Sequence, residues 1–203
     1  YAEMLSRIRD SAYLQADESP IPVLTSQTPG STHKGYQWVF HLPKSKLVVF
    51  QYHQSRSKSV PTEVLAGFNG CLQTDGYAGY KDVVQRKDIT HIACMAHARR
   101  KFEAAQENDP DRAHHALVEF QKLYAIERYG KKNELSADQI QVVRQQEATP
   151  VLDALRGWME DQYTQVLPKS AIGKAIAYSL NLWPKLTLCT RNGEWRNDNN
   201  AVE

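Results

Sequence analysis

The hydrophobic pattern of this chain changes character near residue 97, and that change limits the architectures open to it. Upstream, short β-forming runs dominate: Tyr13–Asp17, Tyr36–Leu42 and Leu47–His53. The last two are joined by Pro43-Lys44-Ser45-Lys46, which suits a hairpin, and Pro20 and Pro22 bound the first run. Val60, Val64, Leu65 and Phe68 then fall at helical spacing before Gly70, and two further strands are expected at Cys71–Asp75 and Ile89–Met95. From Ala98 to about Tyr163 apolar residues recur at three- and four-residue steps, among them Phe102, Phe120, Leu123, Ile140, Leu152, Leu155 and Met159. A further helix, Ser170–Leu182, is expected to end before Pro184. Arg191-Asn192-Gly193 reads as the turn of a strand–turn–strand unit, and Asp198-Asn199-Asn200 offers N-cap residues for a final helix. The order βββαβαβ, followed by helices, describes an α/β sheet carrying a large helical insertion.

Composition closes off several alternatives. With 203 residues, 41% hydrophobic and 24% charged, the chain can bury a sizeable core and is unlike a disordered polymer. No apolar run approaches the roughly 18 residues of a membrane helix, and no signal-peptide pattern opens the chain. Cys71, Cys94 and Cys189 are odd in number and widely spaced, which argues against a secreted disulfide scaffold, so a cytoplasmic protein is expected. Charge is distributed in blocks. Ser19 to Thr62 holds five Lys/Arg and no carboxylate, Lys101 to Tyr163 holds twelve acids against eight bases, and Thr164 to Asn197 holds five bases against one acid. Such blocks suit either a phosphate-rich partner or ordinary solvated faces.

Two acids at strand ends carry the most chemical information. Asp17 closes the first strand and Asp75 the fourth, where reactive groups collect in open α/β sheets. Brought together they repel, and such a pair is stable chiefly with divalent cations between them; each alone also serves as a turn-former or cap. Alternation turns the adjacent Glu18 to the opposite face. His91, Cys94 and His97 form a metal-like trio, but a structural zinc wants a fourth ligand, and the strand-to-helix boundary would splay these three. Arg99, Arg100 and Lys101 cannot all face a core; they and Lys169 and Lys174 are either solvated or in contact with phosphates. Trp38, Trp158 and Trp183 sit in apolar patterns, whereas Trp195 is left open as a DNA-facing residue.

Five blocks then match one family in one order: Ala16–Leu24, Leu72–Tyr80, Cys94–Phe102, Pro168–Ile176 and Asp198–Glu203. From about Tyr13 to the last residue the chain resembles the catalytic domain of bacterial transposases of the insertion-sequence sixty-six family. The resemblance implies a DDE-type enzyme with a ribonuclease-H-like mixed sheet and a helical insertion before the last catalytic helix. It divides the chain into a core at 1–97, the insertion and following helix at 98–184, and a hairpin with the start of the catalytic helix at 185–203. It implies Asp17, Asp75 and Glu203 as catalytic metal ligands for two Mg²⁺ or Mn²⁺ ions, DNA ends and target DNA as partners, and self-association on paired ends. By the same resemblance His97 sits near the active site, beside the bases Arg99 and Arg100, as an organiser or DNA contact; a buried, satisfied histidine is the other reading. Glu203 falls in the first turn of a helix absent from this chain, so it is expected to be poorly ordered or displaced and the fragment to have little or no activity. A non-catalytic DNA-binding or self-associating fragment, or another ribonuclease-H-like nuclease, are the competing readings.

Overall fold

The computed structural model describes residues 1–24 and 30–202. After a short helix α1 (Ala2–Arg9), the β-forming runs pair as β1 (Tyr13–Leu24), β2 (Thr32–Leu42) and β3 (Leu47–His53), each antiparallel to the next. Helix α2 (Ser59–Val64) then leads to β4 (Gly70–Thr74), and helix α3 (Lys81–Val84) leads to β5 (Ile89–Ala93). β4 lies parallel to β1 and β5 parallel to β4, giving a five-stranded mixed sheet in the order β3-β2-β1-β4-β5. The fold is therefore mixed α/β with β1 at its centre. Strand alternation puts Leu14 and Ala16 of β1 on one face with Trp38 and Phe40 of β2 and Leu72 of β4. Ile8, Val60, Val64, Phe68 and Tyr80 complete this apolar cluster, and Trp38 meets Tyr80 edge-to-face with centroids 5.8 Å apart.

The other face of β1 is polar at its centre yet satisfied. Gln15 Nε2 donates to Gln73 Oε1 at 2.9 Å, and His41 Nδ1 lies 2.9 Å from Gln15 Oε1. All three residues are buried, so the network fixes the register of β2, β1 and β4 close to Asp17 and Asp75.

One sequence expectation is corrected in this region. β1 does not stop at Asp17 but continues through Pro20 and Pro22 to Leu24. Pairing with β4 ends at Gln15–Gln73, so beyond it one edge of β1 is open, and a proline lacking its N–H breaks no ladder there. Helix α1 is held by the fully buried Ile8, with Met4 and Leu5 packed against the same cluster.

Residues Cys94–Asp198 form a second unit, distinct from the first, which comprises Tyr1–Ala93 and the residues from Asn199 onward. It contains α4 (Met95–Glu103), α5 (Pro110–Lys132), α6 (Ala137–Val143), α7 (Thr149–Tyr163) and α8 (Ala171–Leu186). The helices start where the sequence offers caps: Asp109 accepts from the Arg112 amide ahead of Pro110, Ser136 forms a capping box with Gln139, and Ser170 accepts from the Gly173 amide. Phe102, Phe120, Leu155, Met159 and Ile176 are all fully buried in this unit. A π turn at Arg144–Ala148 links α6 to α7 and buries Arg144. The two ends of the unit are pinned together one residue in from each, since the Met95 amide donates to the Asn197 carbonyl at 2.9 Å.

The strand–turn–strand expected around Asn192-Gly193 does not form. Helix α8 runs through Pro184 to Leu186, losing one hydrogen bond in its last turn, and a 3-10 turn follows at Thr187–Arg191. The cause is tertiary. Arg144 Nη1 donates to the carbonyls of Cys189 (2.9 Å), Asn192 (3.2 Å) and Trp195 (2.7 Å), which removes them from any ladder. Asn192 is extended at φ −151°, so it adopts no primed turn. Gly193 serves close approach instead, since a Cβ there would stand 1.7 Å from the Ala137 carbonyl oxygen.

Candidate active site

Asp17 and Asp75 come from strands adjacent in the sheet, 58 positions apart along the chain, and a carboxylate oxygen of each lies within 4.8 Å of the other. Asp17 is held inside β1 opposite Val39 of β2 and is 7% exposed. Its Oδ1 accepts from the Glu18 amide at 2.9 Å. Asp75 follows the last residue of β4 and is fixed by the chain just after it: the Tyr77 amide donates to its Oδ1 at 2.7 Å. Gly76, between them, has φ 86°, a backbone conformation that other residues resist. Its amide donates to Thr74 Oγ1 at 3.1 Å, and that hydroxyl pairs with His91 Nε2 at 2.9 Å. The turn carrying Asp75 is thus set by β4 and β5 together. Two carboxylates at this spacing repel by about 3 kcal/mol at an effective dielectric near 20. A pair of hard oxygen donors so placed is a fitting seat for a divalent cation and a poor one for a soft metal.

A cation reaches this cluster that the sequence marks only as one of the five bases between Ser19 and Thr62. Arg56, in the loop after β3, donates through Nε to Glu18 Oε1 at 2.7 Å and through Nη2 to the same oxygen. Its Nη2 stands 4.0 Å from Asp75 Oδ2, and its guanidinium lies 3.5 Å from the centroid of the Tyr77 ring. The Tyr77 hydroxyl donates back to the Arg56 carbonyl at 3.0 Å. Glu18 faces away from Asp17 as alternation requires, yet through Arg56 it is coupled to Asp75. Burial pushes the Glu18 carboxyl above the ordinary carboxylate range, opposed by its bond to Arg56. A lone arginine in a loop has no period or spacing that singles it out; its signal in the sequence is membership of the acid-free basic block Ser19–Thr62.

Glu203, the third acid of the resemblance, lies outside the described residues. The residues before it belong to the first unit. Asn199 is fully buried and donates from Nδ2 to the Ala16 carbonyl at 3.3 Å, and the Val202 amide donates to the Asn199 carbonyl at 2.9 Å. The sequence offered Asn199 as a cap; its side chain instead ties the chain to β1 next to Asp17.

The five residues expected at DNA fall in the second unit, in two groups. His97, Arg99 and Arg100 are half-buried on α4, where Arg99 Nη1 pairs with Glu103 at 2.9 Å and faces the Tyr124 ring. Lys169 and Lys174 are exposed on either side of the Ser170 cap of α8. Trp38 and Trp183 are buried, Trp158 stacks on His115 with centroids 4.4 Å apart, and Trp195 is half-buried. All three cysteines are buried, and none is in a disulfide. Among the described residues no helix is long and apolar enough to cross a membrane.

Comparison with known proteins places this geometry in a family. The family model described as "Transposase IS66 family" matches residues 1–203. The uncharacterized protein y4jD of Sinorhizobium fredii is 30% identical over 219 residues, covering 100% of this chain and 42% of its own length. A second uncharacterized protein of that organism, y4hP, is 31% identical over 172 residues, covering 76% of this chain and 31% of its own length. The chain therefore spans less than half of these relatives. Among solved structures, a simian T-cell lymphotropic virus intasome in complex with PP2A regulatory subunit B56 gamma matches 64% of this chain and 46% of its own at 14% identity, with a TM-score of 0.31.

Proposed function

Because the chain belongs to the Transposase IS66 family along its whole length, we propose that it is the catalytic part of a DDE-type DNA transposase, acting in the cytoplasm on transposon ends and target DNA. The proximity of Asp17 and Asp75 within 4.8 Å carries this reading. In it the sheet unit, Tyr1–Ala93 with the residues from Asn199 onward, is a ribonuclease-H-like core, and Cys94–Asp198 is the helical insertion.

Asp17 and Asp75, with Glu203 completing the set, would hold two Mg²⁺ or Mn²⁺ ions. Such ions supply charge neutralisation at a phosphodiester and a water acidic enough to act as nucleophile near neutral pH. The protein's own part is placement. Asp17 is rigid within a central strand, Asp75 is clamped by the Tyr77 amide, and the bond from Asn199 to Ala16 brings the chain leading to Glu203 onto β1. Water attacks the phosphorus and the 3′ oxygen leaves, giving a free 3′-hydroxyl; that hydroxyl then attacks a target phosphodiester, displacing another 3′ oxygen. His97, Arg99, Arg100, Lys169 and Lys174 are the proposed contacts to the backbone phosphates. Paired ends require more than one copy, so self-association belongs to the same reading.

The test uses the full-length protein. Cleavage of DNA carrying the element's ends, and joining of the new 3′-hydroxyl to target DNA, should both disappear in Asp17→Asn and Asp75→Asn. Cleavage unchanged in either variant would remove the two-carboxylate mechanism, and cleavage without joining would make the protein a nuclease of another kind.

A further inference from the structure

Arg56 is held by three different groups, yet part of its guanidinium is left over. Its contacts to Glu18, Asp75 and the Tyr77 ring involve Nε, Nη2 and the flat face of the group. The two N–H groups on Nη1 take part in none of them. The side chain is 39% exposed while the Glu18 side chain it binds is 0% exposed, so the buried acid grips one edge of the fork and the other edge remains open. Stacking on Tyr77, and the hydroxyl of that tyrosine bonded to the Arg56 carbonyl, fix the plane of the group. A guanidinium whose orientation is settled before the ligand arrives, with both N–H groups of Nη1 unspent, presents a preorganised charged donor to a phosphate oxygen.

The location gives the ligand. A phosphodiester approaching Asp17 and Asp75 meets two negative groups, and a fixed positive group 4.0 Å from Asp75 Oδ2 offsets that repulsion. We propose that Arg56 is a substrate-binding residue, its Nη1 edge taking a non-bridging oxygen of the DNA phosphate at the Asp17–Asp75 site; this rests on the transposase reading above. Glu18 is then a positioning residue: it acts through Arg56 and touches no DNA. A buried ion pair kept only for stability would need neither the exposed edge nor the tyrosine platform.

The experiment measures three quantities on the full-length protein. Arg56→Gln leaves Glu18 unpaired in a buried place, so Glu18→Gln with Arg56→Gln is made alongside it to preserve folding, together with Arg56→Lys. Mn²⁺ binding by calorimetry should stay within about twofold of wild type in all three, while DNA cleavage falls by about 10²-fold or more, as for removal of one preorganised donor at a reacting centre. Lysine should restore little of it, because an ammonium cannot grip Glu18, lie flat on Tyr77 and still hold a fixed donor toward the phosphate. Independently, phenylglyoxal labelling of Arg56, mapped by mass spectrometry, should be suppressed by a short duplex DNA in Ca²⁺. Near wild-type cleavage by the double variant, loss of Mn²⁺ binding together with activity, or equal labelling with and without DNA would each overturn the assignment. Intact cleavage in Asp17→Asn would instead overturn the two-carboxylate reading, and the labelling result would still decide whether Arg56 meets DNA.

Discussion

Asn199 donates a hydrogen bond from its side-chain amide to the main-chain carbonyl of Ala16, 3.3 Å away and 183 positions earlier in the chain. It joins the end of the described polypeptide to the residue immediately before Asp17. Since Asn199 is fully buried, the Ala16 carbonyl has no water to replace this donor. Asn199→Ala should cost about 1–3 kcal/mol, read as a melting temperature lower by roughly 2–12 °C in thermal denaturation. Asn199→Asp, which turns the donor into an acceptor facing an acceptor, should cost at least as much.

The acidic pair predicts a trade between stability and function. Without metal, Asp17→Asn or Asp75→Asn relieves repulsion across the gap of at most 4.8 Å and should raise the unfolding free energy by about 1–2 kcal/mol in EDTA. Mn²⁺ should stabilise wild type by mass action, about 2.7 kcal/mol at a hundredfold excess over its dissociation constant, and should leave both variants unmoved. Calorimetric melts with and without Mn²⁺ check both statements; variants that are less stable than wild type in EDTA would contradict the repulsion argument.

Arg144 is the polar centre of the helical unit. It is 4% exposed, forms a two-pronged pair with Glu127 at 2.8 and 2.7 Å, and ties down three carbonyls of the segment after α8. Arg144→Met strands a carboxylate and three acceptors, and should cost about 3–5 kcal/mol in urea denaturation. Combining it with Glu127→Leu should cost clearly less than the sum of the two single changes, because the second removes the charge that the first leaves unpaired. Strict additivity would mean that the pair is not coupled.

The thiols should be silent in the folded protein. Burial pushes Cys189 up to about 11 and Cys71 further still, so that at pH 8 roughly one Cys189 in a thousand is thiolate. The sign is simple: a raised pKa keeps the unreactive protonated form until the pH approaches the shifted value. Ellman's reagent should therefore label Cys71, Cys94 and Cys189 slowly in buffer and all three quickly in urea, with native rates still low at pH 9.

Much of this architecture was legible because it is local. The pairs Leu14/Ala16 and Trp38/Phe40 announce strands by alternation, and Phe102, Phe120 and Leu155 announce helices by period. Asp17 and Asp75 stood out because each follows a short β-forming run, although only Asp75 lies at the end of its strand. What stayed hidden depends on partners distant in sequence. Pro20 and Pro22 looked like terminators because nothing local tells that β4 stops pairing at Gln15. Asn192-Gly193 looked like a hairpin because nothing local tells that Arg144 collects the neighbouring carbonyls or that Ala137 presses against Gly193. Arg56 is the clearest case: its meaning comes entirely from Glu18, Asp75 and Tyr77, which lie 38, 19 and 21 positions away from it.

The bond between the Met95 amide and the Asn197 carbonyl has an evolutionary consequence. A unit whose two ends are clasped at the neck is a closed circuit, and its circumference can lengthen or shorten while the clasp stays put. Insertions and deletions among relatives should therefore gather in the turns of the helical unit, around residues 104–109, 133–136 and 164–170, and spare the clasp itself. By the same logic, replacing everything between the clasped residues with a short loop should leave a foldable sheet, a minimal scaffold on which the chemistry of Asp17 and Asp75 could be studied in isolation.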